Sequence, residues 1–241
     1  MIPMRDLENI KGSRVYGRRQ AAALSPARQR RLDHWLPKID ITLPGPDMAT
    51  LIPPEKYFKD RMRDHWLEIG FGKGEHLAEQ AKSHPDIGMI GSEPFLNGVS
   101  GLVDLVDQAD LTNVRIFRDD ARLLMDSLPD CSIGRAFILF PDPWPKARHH
   151  KRRIVSAGNI TVLSRILKDG AELRIATDHM EYCRWIMAHM LANPDFDWIC
   201  DDPANWRCRP AGWPATRYEK KSLAQGRKSS YLSFIRRSRS T

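Results

Sequence analysis

The stretch Leu67-Glu68-Ile69-Gly70-Phe71-Gly72-Lys73-Gly74 joins an apolar, strand-like run to a helix-like run. Glycine at such a turn lets a ligand approach the backbone closely, because no Cβ intrudes. The spacing is G-x-G-x-G, and Glu75 stands where a dinucleotide motif would have its third glycine. The stretch therefore predicts a strand–loop–helix unit whose ligand lacks a diphosphate, although many α/β folds use such glycines for packing alone.

Strand-like and helix-like segments alternate on both sides of this unit. The apolar patterns predict strands at 65–71, 87–91, 114–117, 136–140 and 171–176, and helices at 74–83, 96–107, 154–167 and 180–191. Two further strands, 196–200 and 231–235, are expected to pair late in the chain. Strands separated by helices of this length indicate βαβ units, and so a doubly wound α/β fold with a mostly parallel sheet.

The charge of the chain is unevenly distributed. Its 241 residues carry a net charge of +8, of which 1–40 contribute +5 (nine cations, four acids) and 206–241 contribute +9 (ten cations, one acid). The intervening residues are acidic. Localised cations of this kind bind phosphate backbones, whereas the alternative for the N-terminal part is a merely solvated tail. We predict a flexible basic arm and linker over 1–50, with at most a short helix among its arginines, and one domain over 51–241 that ends in a basic nucleic-acid-binding segment.

Several classes of protein are disfavoured by the sequence. It has neither an apolar run of about 18 to 20 residues nor an apolar region near residue 1, which argues against a membrane span and a secretory signal. The cysteines form no CxxC pair and have no histidine at zinc-finger spacing, so neither a metal site nor a disulfide framework is expected. These four thiols are Cys131, Cys183, Cys200 and Cys208.

Acidic residues follow the predicted strands one after another. Glu68 lies near the end of the first strand, Glu93 follows the second, Asp119 and Asp120 follow the third, and Asp142 follows the fourth. An acid after the second strand suits the two hydroxyls of a ribose, although it would also suit a helix N-terminus. Spacing does not distinguish between the two aspartates of the third position. Since the carboxyl ends of parallel strands share one edge, we expect a pocket there that fits S-adenosylmethionine.

The fourth strand leads into the most distinctive stretch of the chain, 139–153. It places Asp142 between two prolines beside Trp144, and five cations follow within eight residues without an acid. An aromatic ring can stack on a base, a carboxylate can accept hydrogen bonds from base or cofactor, and cations hold phosphates. The alternative is a rigid proline turn followed by a solvated basic loop. We favour a nucleic-acid site.

Taken together, these motifs resemble the bacterial tRNA (guanine-N7-)-methyltransferases. The segments that carry the resemblance are 68–74, Glu93, Asp120-Ala121, 141–149, 176–179 with Tyr182, and 216–219. It covers about 50 to 235 and leaves the N-terminal arm out. Pro145 stands where the family often has histidine, and His150 where asparagine is common.

The resemblance implies a class I methyltransferase (Rossmann-like) fold with a seven-stranded sheet. The implied donor is S-adenosyl-L-methionine, and the implied acceptor is guanosine 46 in the variable loop of tRNA. The cofactor residues would be Glu68, Gly70, Gly72, Gly74, Glu93, Asp120 and Asp142, with Asp142 also catalytic. Substrate contacts would be Lys146, Asp178, Thr216, Arg217, Tyr218 and Glu219. The RNA-contacting strip would be Arg148, His149, His150, Lys151, Arg152 and Arg153. A cytoplasmic setting is expected, and the sequence specifies no oligomeric state.

Two rival hypotheses remain from the residues. One is an enzyme of the same fold that methylates a small molecule or another nucleic-acid base. The other is an RNA-binding module that has lost the cofactor, against which the intact glycines and the four acids argue. Cofactor titration separates the module from the enzymes, and mapping of the modified nucleotide separates the substrates.

Overall fold

The computed structural model describes residue 16 and residues 19–21, 23–44 and 51–239. Within these ranges the strands are β1 Asp64–Ile69, β2 Ile87–Ser92, β3 Val114–Phe117, β4 Ile133–Leu139, β5 Leu167–Thr177, β6 Phe196–Trp198 and β7 Ser230–Arg236. The α-helices are α1 Pro26–Ile39, α2 Glu75–Ser83, α3 Leu96–Ala109, α4 Ala121–Ser127, α5 Ala157–Ile166, α6 Met180–Leu191, α7 Ala204–Arg207 and α8 Arg217–Ala224. Short 3-10 helices lie at Pro54–Tyr57 and Ala147–Arg152.

All seven strands join one sheet in the order β3-β2-β1-β4-β5-β7-β6. Five strands are parallel, and β7 runs antiparallel to both β5 and β6. The predicted fold class is confirmed, as is the pairing of the two late strands. The strand order reverses between β1 and β4, and in an open parallel sheet such a reversal leaves a crevice for ligands at the carboxyl ends of the strands.

Helices cover both faces of the sheet because the central strands are apolar on both faces. On β1, Trp66 packs with α1, α2 and α3 on one face, whereas Leu67 and Ile69 pack with α4, α5 and α6 on the other. Strands buried in this way read as continuous apolar runs, which is why the sequence located them well. No helix in the described part of the chain has the length and apolar character needed to cross a membrane.

The predicted flexible arm over 1–50 is wrong for 23–44. Ser25 caps α1, and Leu32, Leu36 and Ile39 of that helix are buried against the face that carries α3. Beyond the helix, Asp40 bridges to β3 and pairs with Arg118 at 2.6 Å. These apolar residues recur at helical spacing, but the arginines between them masked the pattern. The rest of the predicted arm, at 1–15, 17–18, 22 and 45–50, lies outside the described residues.

Candidate active site

The glycine loop after β1 adopts a backbone that other residues rarely take. Gly70, Gly72 and Gly74 have φ angles of +73°, +56° and +80°. A Cβ on Gly74 would lie 2.6 Å from Leu102 of α3, so this glycine serves packing between helices. At the first two glycines a Cβ would meet no atom within 4 Å, because both face open space. The loop therefore presents bare backbone to the crevice.

A cavity of about 340 Å³ occupies the crevice. This is within the range of small-molecule sites. Its lining consists of Glu68, Gly70, Phe71, Gly72, Lys73, Glu75, Phe95, Gly98, Leu139, Phe140, Thr216, Arg217 and Tyr218. Predicted site residues outside this lining are Gly74, Glu93, Asp120, Asp142, Lys146, Asp178 and Glu219. The cavity thus joins the glycine loop of β1, the end of β4 and the start of α8.

Glu68 presents a buried carboxylate to the cavity. Its residue is 2% exposed, and its Oε2 lies 2.8 Å from Nδ1 of His76 on α2. His76 is itself buried and packs edge-on against Phe137, 4.7 Å between ring centroids. The imidazole fixes one carboxylate oxygen, which leaves the other for a ligand. The pattern in the sequence identified the acid but not the histidine that orients it.

Glu93 lies beside the glycine loop. Its two oxygens accept hydrogen bonds from the backbone N–H groups of Gly72 (2.9 Å) and Phe95 (3.0 Å). Burial, together with the charges of Asp142 and Glu68, raises the pKa of Glu93 from 4.5 to about 7, against the lowering effect of these two hydrogen bonds. The carboxylates of Glu68, Glu93 and Asp142 are thus close enough to affect one another electrostatically at one rim of the sheet. Their mutual repulsion favours a cationic ligand.

Asp142 follows β4, at the edge of the sheet where the crevice lies. Its side chain reaches solvent, although partial burial raises its pKa. It makes no hydrogen bond to any residue in the described ranges, so both of its oxygens remain available as acceptors. A carboxylate in this position can accept hydrogen bonds from a substrate or stabilise developing positive charge.

The two aspartates after β3 are both engaged by the protein. Asp120 caps α4 through the backbone N–H of Arg122 (3.0 Å) and pairs with the guanidinium of the same residue. Asp119 accepts from the guanidinium of Arg19 at 3.1 Å. Neither lines the cavity, and the choice between them as an adenine contact stays a prediction.

The Asp142-Pro143-Trp144 turn has an unusual backbone. Phe140 and Trp144 have φ angles of +52° and +44°, which is uncommon for residues with large side chains. The Trp144 ring lies 6.2 Å from that of Tyr16 and 5.9 Å from that of His149, centroid to centroid. The turn therefore holds an aromatic ring against the basic 3-10 helix.

The residues of the predicted RNA-contacting strip differ in their exposure to solvent. Lys146, Arg148 and Lys151 are exposed, and His149, His150 and Arg152 are partly so. The prediction for Arg153 is wrong, because this side chain is fully buried. Its guanidinium instead binds Pro143 and Glu181. In a run of consecutive cations, the sequence alone does not show which side chain is buried.

The predicted substrate residues at the start of α8 also differ in their exposure. Thr216 caps α8, Arg217 and Tyr218 are exposed at the cavity, and Glu219 is buried with its carboxylate accepting from the Tyr231 hydroxyl. Glu219 therefore lies behind the cavity wall. The ring of Tyr218 packs 5.2 Å from that of Phe140 across the cavity entrance.

Asp178 is held in a polar cluster next to α8. It pairs with Arg227 at 2.9 Å and accepts from the hydroxyls of Tyr218 (3.2 Å) and Ser222. Its side chain is 8% exposed. In the basic C-terminal segment that was predicted to bind nucleic acid, the aromatic rings of Trp213 and Tyr231 are buried and therefore cannot stack on bases. Within the described ranges, no three histidine, cysteine or acidic side chains are grouped as a metal site.

Comparison with known proteins gives consistent matches. A family model described as "Putative methyltransferase" matches residues 63–232. A Rhodospirillum rubrum protein named tRNA (guanine-N(7)-)-methyltransferase is 45% identical over 94% of this chain and 89% of its own length. A Zymomonas mobilis protein of the same name is 44% identical over 92% of this chain and 94% of its own length.

Solved structures match at the level of the fold. The structure of the 16S rRNA methyltransferase KamB has a TM-score of 0.52 at 14% identity, over 73% of this chain and 89% of the other. The structure titled as an antibiotic related methyltransferase has a TM-score of 0.51 at 16% identity, over 74% of this chain and 89% of the other.

Proposed function

Because the chain belongs to the tRNA (guanine-N(7)-)-methyltransferase family, we propose that it transfers the methyl group of S-adenosyl-L-methionine to N7 of guanosine 46 in the variable loop of tRNA. A cytoplasmic setting follows from that substrate. The observation that carries the proposal is the convergence of Glu68, Glu93 and Asp142 at one rim, beside exposed cations.

The chemistry of the pocket fits this cofactor. Gly70 and Gly72 leave the space beside the loop open, and carboxylates at the rim suit an ammonium, a sulfonium and a pair of ribose hydroxyls. We assign Glu68 and Glu93, with the glycine loop, to holding the cofactor, and Asp120 to the adenine amino group. When bound, S-adenosylmethionine supplies an electrophilic methyl group on its sulfonium.

The remaining catalytic work is alignment and charge stabilisation. Guanine N7 has a lone pair and no proton, so the protein needs no general base to create the nucleophile. Asp142 and the aromatic wall of the crevice would hold the base so that N7 faces the methyl carbon in line, which is proximity catalysis. Positive charge moves to the base during transfer, and the Asp142 carboxylate stabilises it.

Substrate binding is assigned to the surface around the crevice. Lys146, Arg148 and Lys151 would bind phosphates, with His149, His150 and Arg152 beside them. Trp144 offers a ring for stacking, and Thr216, Arg217 and Tyr218 of the α8 start would contact the guanosine together with Asp178. Localised cations next to an aromatic plate are the features that bind single-stranded or loop RNA.

Methylation of an unmodified tRNA transcript tests the proposal. We expect one 7-methylguanosine per tRNA, located at position 46 by nucleotide mapping, and no transfer to a transcript in which that guanosine is adenosine. Transfer at another guanosine would refute the position, and transfer only to ribosomal RNA would refute the substrate. Failure of S-adenosylmethionine to bind in a calorimetric titration would leave only a non-catalytic RNA-binding module.

A further inference from the structure

Arg153 is a buried cation in the middle of the basic stretch. Its Nε donates to the carbonyl oxygen of Pro143 at 2.9 Å, and its two terminal nitrogens donate to the Glu181 carboxylate at 3.2 and 2.6 Å. The guanidinium carbon lies 5.0 Å from the ring centroid of Tyr182 and 4.6 Å from that of Trp185. A solvated RNA contact would show none of this burial.

The turn that Arg153 reaches has little support of its own. Pro143 and Pro145 have no backbone N–H, and Trp144 adopts a left-handed backbone with φ of +44°. Among the described residues, no backbone N–H of 141–145 donates to another backbone carbonyl. Strained backbone of this kind persists only where the surroundings fix it. The hydrogen bond from Arg153 to the Pro143 carbonyl is such a constraint.

The other side of the guanidinium is anchored on α6. The indole N–H of Trp185 donates to the carbonyl oxygen of Val155 at 2.8 Å. The backbone N–H of Val155 in turn donates to the hydroxyl of the fully buried Tyr182 at 3.4 Å. Arg153 holds the pKa of Glu181 below its usual range by hydrogen bonding and by its charge. The guanidinium therefore links a rigid helix to a turn that lacks internal hydrogen bonds.

We propose that Arg153 is a positioning residue for methyl transfer, which fixes the Asp142-Pro143-Trp144 turn to α6. This inference rests on the proposed role of Asp142. It assigns the stretch 146–153 two separate tasks, since the exposed cations bind RNA and the buried one sets the geometry of the turn. A displacement of about 1 Å in a catalytic group can cost on the order of 100-fold in rate.

A lysine at 153 is the informative substitution. It keeps the charge next to Glu181 but cannot form the planar fork that binds the carboxylate and the Pro143 carbonyl together. In Arg153→Lys we expect kcat to fall at least about tenfold, with KM for tRNA and its salt dependence unchanged. The comparison variant is Lys151→Ala in the same 3-10 helix, for which we expect a higher KM for tRNA and a weaker salt dependence.

A spectroscopic measurement on the ligand-free protein separates positioning from general stability. In 5-fluorotryptophan-labelled protein, the ¹⁹F resonance of Trp144 is identified by its loss in Trp144→Phe. In Arg153→Lys we expect this resonance to shift or broaden, whereas those of the distant Trp66 and Trp198 stay in place. Because the readout needs neither cofactor nor tRNA, it remains decisive even if the wild-type enzyme proves to methylate another substrate.

Glu181→Gln is the second variant, should Arg153→Lys fail to fold. The glutamine oxygen can accept only one of the two hydrogen bonds, so we expect a smaller loss of kcat and a smaller shift of the Trp144 resonance in the same direction. The proposal is overturned if either folded variant retains wild-type kcat with an unmoved Trp144 resonance. It is equally overturned if Arg153→Lys acts on KM and salt dependence alone, since that is the behaviour of an RNA contact.

Discussion

At the scale of single residues, Glu93 combines two opposing influences. Burial and the neighbouring charges of Asp142 and Glu68 raise its pKa to about 7, whereas the hydrogen bonds from Phe95 and Gly72 lower it. Only the ionised form has both oxygens free of protons to accept from ligand donors. Below pH 7 the group must therefore lose a proton before it can bind, and the affinity for a cationic cofactor must decrease with the pH.

We expect the Kd for S-adenosylmethionine to increase about tenfold for each pH unit below 7, as follows from the release of one proton on binding. Calorimetric titration between pH 5.5 and 8.5 measures this dependence. Glu93→Gln serves as the control and should bind more weakly at pH 8 with a nearly flat profile. Parallel profiles for wild type and variant would exclude Glu93 as the titrating group.

For Asp142 the prediction concerns the rate of methyl transfer and not the affinity for the cofactor. Its exposed side chain supports no hydrogen bond within the described residues, so Asp142→Ala should leave the melting temperature almost unchanged. Loss of its charge stabilisation should lower kcat on the order of 100-fold or more. Steady-state kinetics with saturating tRNA test this, and a folded variant with wild-type turnover would disprove the catalytic role.

Single residues are also where prediction from the sequence was least complete. The placement of Glu68, Glu93 and Asp142 at one edge could be predicted because Glu68 lies near the end of a buried strand and the other two follow one. Strand ends are visible in the sequence as the end of an apolar run. The inward turn of Arg153 could not be predicted, since its partner Glu181 lies 28 positions away. Burial of a charged side chain depends on such distant partners, and no local pattern encodes it.

At the scale of elements, the basic 3-10 helix Ala147–Arg152 and the residue before it carry the exposed cations. Lys146, Arg148 and Lys151 have no acidic partner in the described ranges. Desolvation, followed by the positive charges of the neighbouring cations, lowers the pKa of His149. Their positive charge is therefore available for phosphates.

Replacement of Lys146, Arg148 and Lys151 together by alanine should weaken tRNA binding and reduce its salt dependence. Three lost phosphate contacts correspond to a decrease of about 2 to 3 in the slope of log Kd against log salt concentration. Filter binding at several salt concentrations measures the slope, and the affinity for S-adenosylmethionine is the internal control. An unchanged slope would mean that the strip does not contact phosphate.

The elements themselves were predicted with uneven success. The strand β3 and the helix α6 were predicted with the bounds that the structure has, because both have a clear apolar period. The seven-residue helix α4 was missed, since it is too short to show a period. The helix α1 was predicted only as a short helix within a flexible arm, because its arginines obscured three buried apolar residues.

At the scale of the whole molecule, part of the basic charge at the two ends is used internally. Arg28 and Arg31 of α1 both pair with Asp104 of α3, and Arg237 and Arg239 pair with acids of the body. Acidic residues of the central part of the chain thus form ion pairs with the basic residues near the two termini of the sequence. Net charge by segment indicated an interaction surface, but it could not show how much of that charge is neutralised by the fold.

The docked helix α1 should consequently belong to the cooperative unit of the domain. Leu36 is 6% exposed in the core that α1 shares with α3. Leu36→Ala should lower the free energy of unfolding by about 2 to 4 kcal/mol, with a single transition in urea. The exposed Arg30→Ala in the same helix is the matched control and should change stability by less than about 0.5 kcal/mol. A separate early transition would show instead that α1 unfolds independently.

The position of β7 in the sheet has a consequence for synthesis of the chain. This strand follows both β5 and β6 in the chain, yet it lies between them in the sheet. Until it is translated, the edge of β5 has no neighbour on that side and β6 has nothing to pair with, and open edges of this kind invite association with other chains. The nascent sheet therefore cannot be completed before β7 has been translated, and deletion of this strand should lower the yield of folded protein.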